Sequence, residues 1–401
     1  MKALTSNFLQ SKFRDYYLES SLEAPPGFES REWGFLFFDG GGMRRHKSFL
    51  GRGELVDYVR AMVPAHVYHS AAYYQRPGAP TMKEKIWKGA DLIFDLDADH
   101  LRKAPTSYRE MLDLVKKETL KLLSFLTADF GFSEKSISVA FSGGRGYHIH
   151  VRDPLVFNLG GDERREIVDY LAGRGLDKDR LQFKVIVTGD VGDDRVRALR
   201  CPPENSPGWG GKFNRAILQF AEEIRGLDEE AAMERLTEIK GIGKVRAKKF
   251  YQRLDSERVL DDIRAGNLDS INEIQKIWPH IIDNYLADQF ISILGGETDE
   301  PVTADVRRLI RCPGSLHGGS GFRVTPLTIQ SLEGFDPLWD AVVFGDEPVA
   351  LQVLKPFITE IKGESYRLSE GRTEVPAHAA VFLMARGAAE LGARRSNEKS
   401  I

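Results

Sequence analysis

Short runs rich in β-branched and aromatic residues recur through the first half of the chain, at 33–38 (WGFLFF), 91–97, 136–141 (SISVAF), 147–151 (YHIHV) and 183–188 (FKVIVT). Turns rich in Gly, Pro and Asp separate them, so they predict strands. Between them, 53–62 and 109–127 carry apolar residues at helical spacing, which makes the region mixed α/β. From about residue 213 to 290 the pattern changes to long helical periods of Glu, Lys, Leu and Ile, and RLDSERVLDDIRAG ends on a Gly stop signal. The stretch PVTADVRRLIRCPGSLHGGSGFRVTPL then resumes the Gly-, Pro- and Arg-rich texture of the first part. The expectation is an α/β core with a mixed sheet, built from 1–212 and 291–401 and interrupted by a helical insertion at 213–290. No repeat of fixed period and no low-complexity tract argues for a solenoid or an array.

One strand carries chemistry. In GADLIFDLDADH, residues 89–100, alternation places Ile93, Asp95 and Asp97 on one face and Leu92, Phe94 and Leu96 on the other. Asp95 and Asp97 then emerge roughly 6.5–7 Å apart along the strand, a separation that lets them converge on two divalent cations about 3.5–4 Å from each other. The same D-x-D-x-D opening also begins a calcium loop, which needs Gly at its sixth position and Glu at its twelfth. Counting from Asp95 gives His100 and Thr106, so that reading fails. A solvated acidic strand end is the plainer alternative.

Two further segments matter. ISVAFSGGRGYHIHV is a strand, a tight turn through Gly143, Gly144, Arg145 and Gly146, and a second strand with His148 and His150 on one face. Such a turn offers backbone N–H groups as an anion nest, and the Arg fork matches phosphate oxygens. It lacks the helix of a dinucleotide-binding loop and the Gly-Lys-Ser/Thr of a P-loop; a structural turn with packed histidines is the alternative. DEPVTADVRRLIRCPGSLHGGSGF, residues 299–322, joins an acidic residue to a basic helical patch of Arg307, Arg308 and Arg311, then to Ser315, His317 and a Gly-rich loop. A patch of this kind attracts polyphosphate or nucleic-acid backbone, although many such faces are simply solvated.

Composition narrows the field. A chain of 401 residues with 42% hydrophobic and 29% charged residues is long enough for two or three domains around a substantial core. The N-terminal stretch has no signal-peptide apolar core, and no run approaches the length of a membrane span, so a cytoplasmic protein is expected. Only Cys201 and Cys312 occur, which excludes a four-thiolate zinc site or an iron–sulfur cluster within the chain. The net charge of −3 decides little, because 56 basic residues suffice for a local basic stripe.

FDLDAD, SGGRGYHIHV and DEPVTADVRRLIRCPGSLHGGSG, in this order and spacing, resemble the motifs of the small, catalytic subunit of archaeal and eukaryotic DNA primase. REWGFLFFDGGGMRRHKSF is similar to that family's N-terminal REFxF with its Arg-rich turn, so the resemblance covers most of residues 30–325. It implies the archaeo-eukaryotic primase (prim/pol) catalytic core and a nucleotidyltransferase that joins nucleoside triphosphates into a short primer on a single-stranded DNA template. By the same resemblance Asp95, Asp97 and Asp299 are the metal-binding carboxylates, Asp299 standing twelve residues before Arg311, whereas Asp99 and Asp305 are not ligands. Ser142, Arg145, His148, Arg311 and His317 fall on positions that hold the incoming nucleotide's phosphates, and Glu32 and Arg45 on N-terminal active-site positions.

The implied cofactor is Mg2+ or Mn2+. Many relatives carry a zinc knuckle just after the acidic strand; here HLRKAPTSYREMLDLVKK contains no Cys, so structural zinc is not expected. The implied partner is a primase large subunit, which would supply the iron–sulfur element that two distant cysteines cannot. EIKGIGKVRAKKFY in the insertion is similar to the glycine hairpin of DNA-touching helix-hairpin-helix elements, a form that a plain interhelical turn shares. Two other functions compete: a primase-polymerase working in DNA end repair, and a nucleic-acid-binding subunit without catalysis. The helical insertion and SLHGGSG favour replication priming, and three carboxylates facing phosphate would not help a mere binding module.

Overall fold

The computed structural model describes residues 2–20, 22–98, 107–188, 196–268, 277–283 and 300–392. The chain divides into two compact units, one of 1–123, 132–168 and 297–401, the other of 124–131 and 169–296.

The first unit contains two four-stranded sheets. Their strands are β1 (Trp33–Leu36), β2 (Arg44–Lys47), β3 (His66–Ser70), β4 (Leu92–Asp97), β5 (Ile137–Phe141), β6 (Gly146–Val151), β7 (Leu309–Arg311) and β8 (Thr325–Leu327). One sheet has the order β7-β3-β1-β2 and the other β8-β5-β6-β4. The segment after residue 300 therefore contributes an edge strand to each. Every strand pair among the described residues is antiparallel, which corrects the expected mixed sheet. The reason lies in the Gly143–Gly146 hairpin. Strands β4 and β5 flank the helix Tyr108–Ser124 in sequence and run the same way, as a strand-helix-strand pattern predicts, but β6 inserts between them antiparallel to both.

β4 is covered on both faces at its root and open only near its end. Leu92, Phe94 and Leu96 are buried on one face, while on the other Ile93 packs with Ala71, Val302 and Ile310. Val302 belongs to the short helix Glu300–Ala304 and Ile310 to β7. The basic helical patch expected at 307–311 is therefore corrected. The chain turns at Asp305, whose carboxylate accepts the Arg307 N–H at 2.9 Å, and then runs as a strand with Arg311 opposite Tyr68 of β3. The Arg spacing suits a helix, but burial of Ile310 and the hydrogen bonds to β3 override that local preference.

A third antiparallel sheet joins Pro348–Val353 to Gly371–Pro376 and Ala389–Leu391. The helix Ala377–Ala385, buried along nearly its whole length, packs against it and against the first helix, Ala3–Glu19.

The second unit holds the hairpin Phe183–Thr188/Val196–Arg200 and the helices Gly208–Gly226, Glu229–Thr237, Lys244–Leu254 and Glu257–Arg264. The GIG sequence is the turn between the second and third of these helices. Gly241 takes φ +94°, a side chain there would meet His280, and Ile242 is buried. Among the described residues, no helix of either unit is long and apolar enough to cross a membrane.

Candidate active site

Register builds the site. Pairing of β4 with β6 sets Asp95 opposite His148 and Asp97 opposite Gly146. Both carboxylates are partly exposed, where the burial of β4 ends. They line a cleft of about 470 Å3 with Met43, Arg45, Tyr68, His148 and the segment Asp305–Arg311. The cleft thus draws on β4 and β6 of one sheet and on β3 and β7 of the other.

The strand pairing is this close because residue 146 is glycine: a Cβ there would sit 1.9 Å from the Leu96 carbonyl oxygen. The preceding turn is held from within. The Ser142 hydroxyl is buried and accepts the N–H groups of Gly144 and Gly146, both at 3.3 Å. Two of the N–H groups expected to form an anion nest are therefore engaged, and Ser142 sits beneath the turn as its organiser. Arg145 reaches from the turn to within 3.4 Å of Asp97.

His148 is buried, with Nε2 3.4 Å from Asp95. Burial, reinforced by the charge of Arg311, lowers its pKa to about 3, so the ring is neutral at physiological pH. His317 is likewise held well below the usual histidine range, first by burial and then by Arg311. Its Nδ1 lies 3.2 Å from both the Gly319 N–H and the Ser320 hydroxyl. The ring packs against the turn, since a Cβ on Gly143 would lie 2.7 Å from His317 Cβ and one on Gly144 3.0 Å from its Nε2. Ser320 also donates to the Gly143 carbonyl, tying the two Gly-rich loops together.

On the facing sheet, Arg311 lies over the Tyr68 ring at 5.5 Å. Glu32 is fully buried and grips Arg45 in a fork of 3.0 and 3.2 Å, with the backbone N–H of His46 at 3.1 Å and the buried Lys85 ammonium at 3.8 Å. Glu32 therefore acts by orienting Arg45, the member of the pair that lines the cleft.

Of the residues singled out by sequence, Asp95, Asp97, His148, Arg311 and Arg45 line one cleft, with Arg145 and Glu32 bonded to members of it. Ser142 and His317 stand behind the turn. Asp299 lies outside the described residues. Tyr68 and Lys85 were missed; Tyr68 is brought beside Arg311 only by the pairing of β3 with β7, and nothing local distinguishes Lys85. Asp305 also lines the cleft, yet among the described residues no three His, Cys, Asp or Glu side chains are grouped so as to hold a metal ion. The Asp95–Asp97 pair is nonetheless a fitting partial donor set: two carboxylates on one rigid strand face supply the hard oxygen ligands that Mg2+ or Mn2+ takes.

The chain belongs to the DNA primase small subunit family, whose description matches residues 94–329. It is accordingly a DNA primase, a nucleotidyltransferase. It is 59% identical to the DNA primase small subunit PriS of Methanothrix thermoacetophila over 98% of this chain and the whole of that one. The PriS of Methanococcoides burtonii is 49% identical over 98% of this chain and all of its own length, and that of Methanocella arvoryzae 47% over 97% and 99%.

Proposed function

We propose that the chain synthesises short primers on single-stranded DNA for replication, by nucleotidyl transfer at the Asp95–Asp97 cleft. The observation that carries this reading is the placement of both carboxylates on one strand face inside a cleft that is also lined by Arg45, Arg307, Arg308 and Arg311, with Asp305 as a further acidic group. Asp95, Asp97 and Asp299 would hold Mg2+ or Mn2+. When bound, the metal supplies charge stabilisation for the attacking and leaving oxygens of an in-line displacement at phosphorus.

The chain's own residues do the rest. Arg145, Arg311 and Arg45 offer cations for the triphosphate and the departing pyrophosphate. Neutral His148 and His317 serve as hydrogen-bonding groups that hold no charge of their own, so the electrostatic field of the arginines falls on substrate. The Gly143–Gly146 turn, braced by Ser142, keeps Arg145 in place.

A larger subunit completes the enzyme: the relatives' name specifies a small subunit, and holding a template and two nucleotides together needs more surface than this cleft. The primer-synthesis reading is preferred over end repair and over a non-catalytic role on the intact carboxylate pair and the family.

Template-directed incorporation by the purified chain tests the proposal, with Asp299→Asn and Asp305→Asn compared. The expected result is loss of incorporation in Asp299→Asn by a factor of about 10² to 10³, the scale for removing a main electrostatic group, with Asp305→Asn close to wild type. The reverse ranking would reject Asp299 as the third ligand, and template-independent incorporation would reject priming.

A further inference from the structure

The helix Ala377–Ala385 lies outside every motif discussed above, yet its end is linked through Tyr108 to the turn that carries Arg145. Its following residue, Arg386, caps it by donating its backbone N–H to the Phe382 carbonyl at 3.0 Å. The buried helix fixes that cap within the first unit. The Arg386 guanidinium rests on two rings, 4.5 Å from the centre of Tyr108 and 4.9 Å from that of Phe382. Those rings connect to both Gly-rich loops. The Tyr108 hydroxyl donates to the Gly144 carbonyl, and Phe382 stacks on Phe322 with centroids 5.2 Å apart, directly after the His317–Gly321 loop.

Arg386 is thus a cation held rigidly against the loops that carry Arg145 and His317, without a counter-charge of its own. Among the described residues no Asp or Glu pairs with it. Its guanidinium hydrogen-bonds the Tyr108 hydroxyl, while its Nε is buried and has no hydrogen-bond partner, as is also the case for Arg311 Nε and His148 Nδ1 in the cleft and for Arg109 and Arg323 Nε elsewhere. Held by that bond and two rings but by no carboxylate, the guanidinium keeps its positive charge and N–H donors for an anion. Its charge bears on the site: it is among those that lower the His317 pKa, and together with Arg145 and Asp97 it acts on the Tyr108 hydroxyl.

We propose that Arg386 is a further phosphate-binding residue, supplied by the C-terminal part of the chain, which meets the polyphosphate of the incoming nucleotide behind the Gly143–Gly146 turn. This rests on the reading of the turn as the phosphate pole of the cleft. The aromatic seat explains why arginine is used: a planar guanidinium stacks on Tyr108 and still presents a fork of N–H donors, which a lysine ammonium does not.

The experiment is titration of the purified chain with a nucleoside triphosphate and, separately, the matching monophosphate, for wild type, Arg386→Met, Arg386→Lys and Arg145→Ala. Arg386→Met should bind triphosphate roughly tenfold more weakly or worse, as for loss of one charge-assisted hydrogen bond. Monophosphate affinity should be nearly unchanged, and Arg386→Lys should recover part of the loss. A melting temperature lowered in Arg386→Met with triphosphate affinity intact, or an equal loss for both ligands, overturns the proposal. Loss in Arg145→Ala alone overturns Arg386 while keeping the turn as phosphate pole. Normal triphosphate affinity in both variants overturns the pole itself, and the proposal with it.

Discussion

Three aspartates lie within seven residues of one another at β4, and the two ends of this stretch are built on opposite terms. Asp91, just before the strand, is 2% exposed and surrounded by partners: Arg31 at 2.9 Å, the Tyr73 hydroxyl at 2.9 Å, Arg152 at 3.1 Å and His150 at 3.4 Å. Burial alone would raise its pKa, but the His150 hydrogen bond and the charges of Arg31 and Arg152 prevail and hold it well below the usual carboxylate range. The fully buried Arg164 fastens the same corner by donating to the carbonyls of Ala90 and Asp91 at 3.0 and 2.7 Å. Asp95 and Asp97 instead reach a cleft partly exposed, with His148 and Arg145 each 3.4 Å away. The first aspartate has its charge consumed by the fold and anchors the strand. The other two have theirs directed into the cleft, where the proposed function needs it. A rigid root is what allows an exposed pair of like charges to be held in one geometry.

The contrast can be broken from either end. Asp91→Asn should cost the most stability, about 3–5 kcal/mol, because it leaves the buried Arg31 and the half-buried Arg152 without their counter-charge; chemical denaturation measures it. Since the Asp91 pKa is lower in the folded than in the unfolded chain, its contribution is complete above about pH 4 and disappears as pH falls through the folded value. The variant's deficit should therefore shrink in acid, and a deficit constant down to pH 2 would mean that packing, not charge, is lost.

Gly146→Ala should come next, at about 1–3 kcal/mol or somewhat more, by forcing β6 away from the Leu96 carbonyl. It sharpens the comparison because the strain falls at the Asp97 end, so incorporation should drop further than stability does. An active, fully stable Gly146→Ala enzyme would contradict the register described here.

The effect that is smallest near neutral pH, and grows only as acid is added, concerns His148. Its pKa is about 3 when folded and 6.5 when exposed, so between those values the unfolded chain binds a proton that the folded chain refuses. Stability should thus decline as pH falls from 6.5 toward 3, with this residue contributing a slope of up to about 1.4 kcal/mol per pH unit. His148→Gln should flatten that slope in thermal melts across the window. An unchanged slope would place the titration elsewhere, with His66 and His150, lowered by burial to about 3 and about 4, as the alternatives.

The cleft end of β4 was legible in the sequence because alternation is a local property: Asp95 and Asp97 on one face and the Gly-rich hairpin carrying His148 follow from period two and turn chemistry. The structural end was not. Asp91 draws its partners from Arg31, Tyr73, His150 and Arg152, which only the tertiary fold brings together. Arg307, Arg308 and Arg311 read as a helix face for the same reason in reverse, since nothing local announces that β3 will pair with Leu309–Arg311. Ser142 has the residue type of a phosphate donor, but its hydroxyl turns inward to the glycine N–H groups, a choice set by the tightness of the turn.

The most direct test of the account sets the two ends of β4 side by side: single-turnover nucleotide incorporation by Asp95→Asn and Asp91→Asn, each corrected for its folded fraction. The account predicts that folded Asp91→Asn keeps most of its activity, while Asp95→Asn melts like wild type and loses activity by at least about a hundredfold. A well-folded, active Asp95→Asn enzyme would contradict the central claim that this carboxylate, at the open end of β4, serves the reaction rather than the fold.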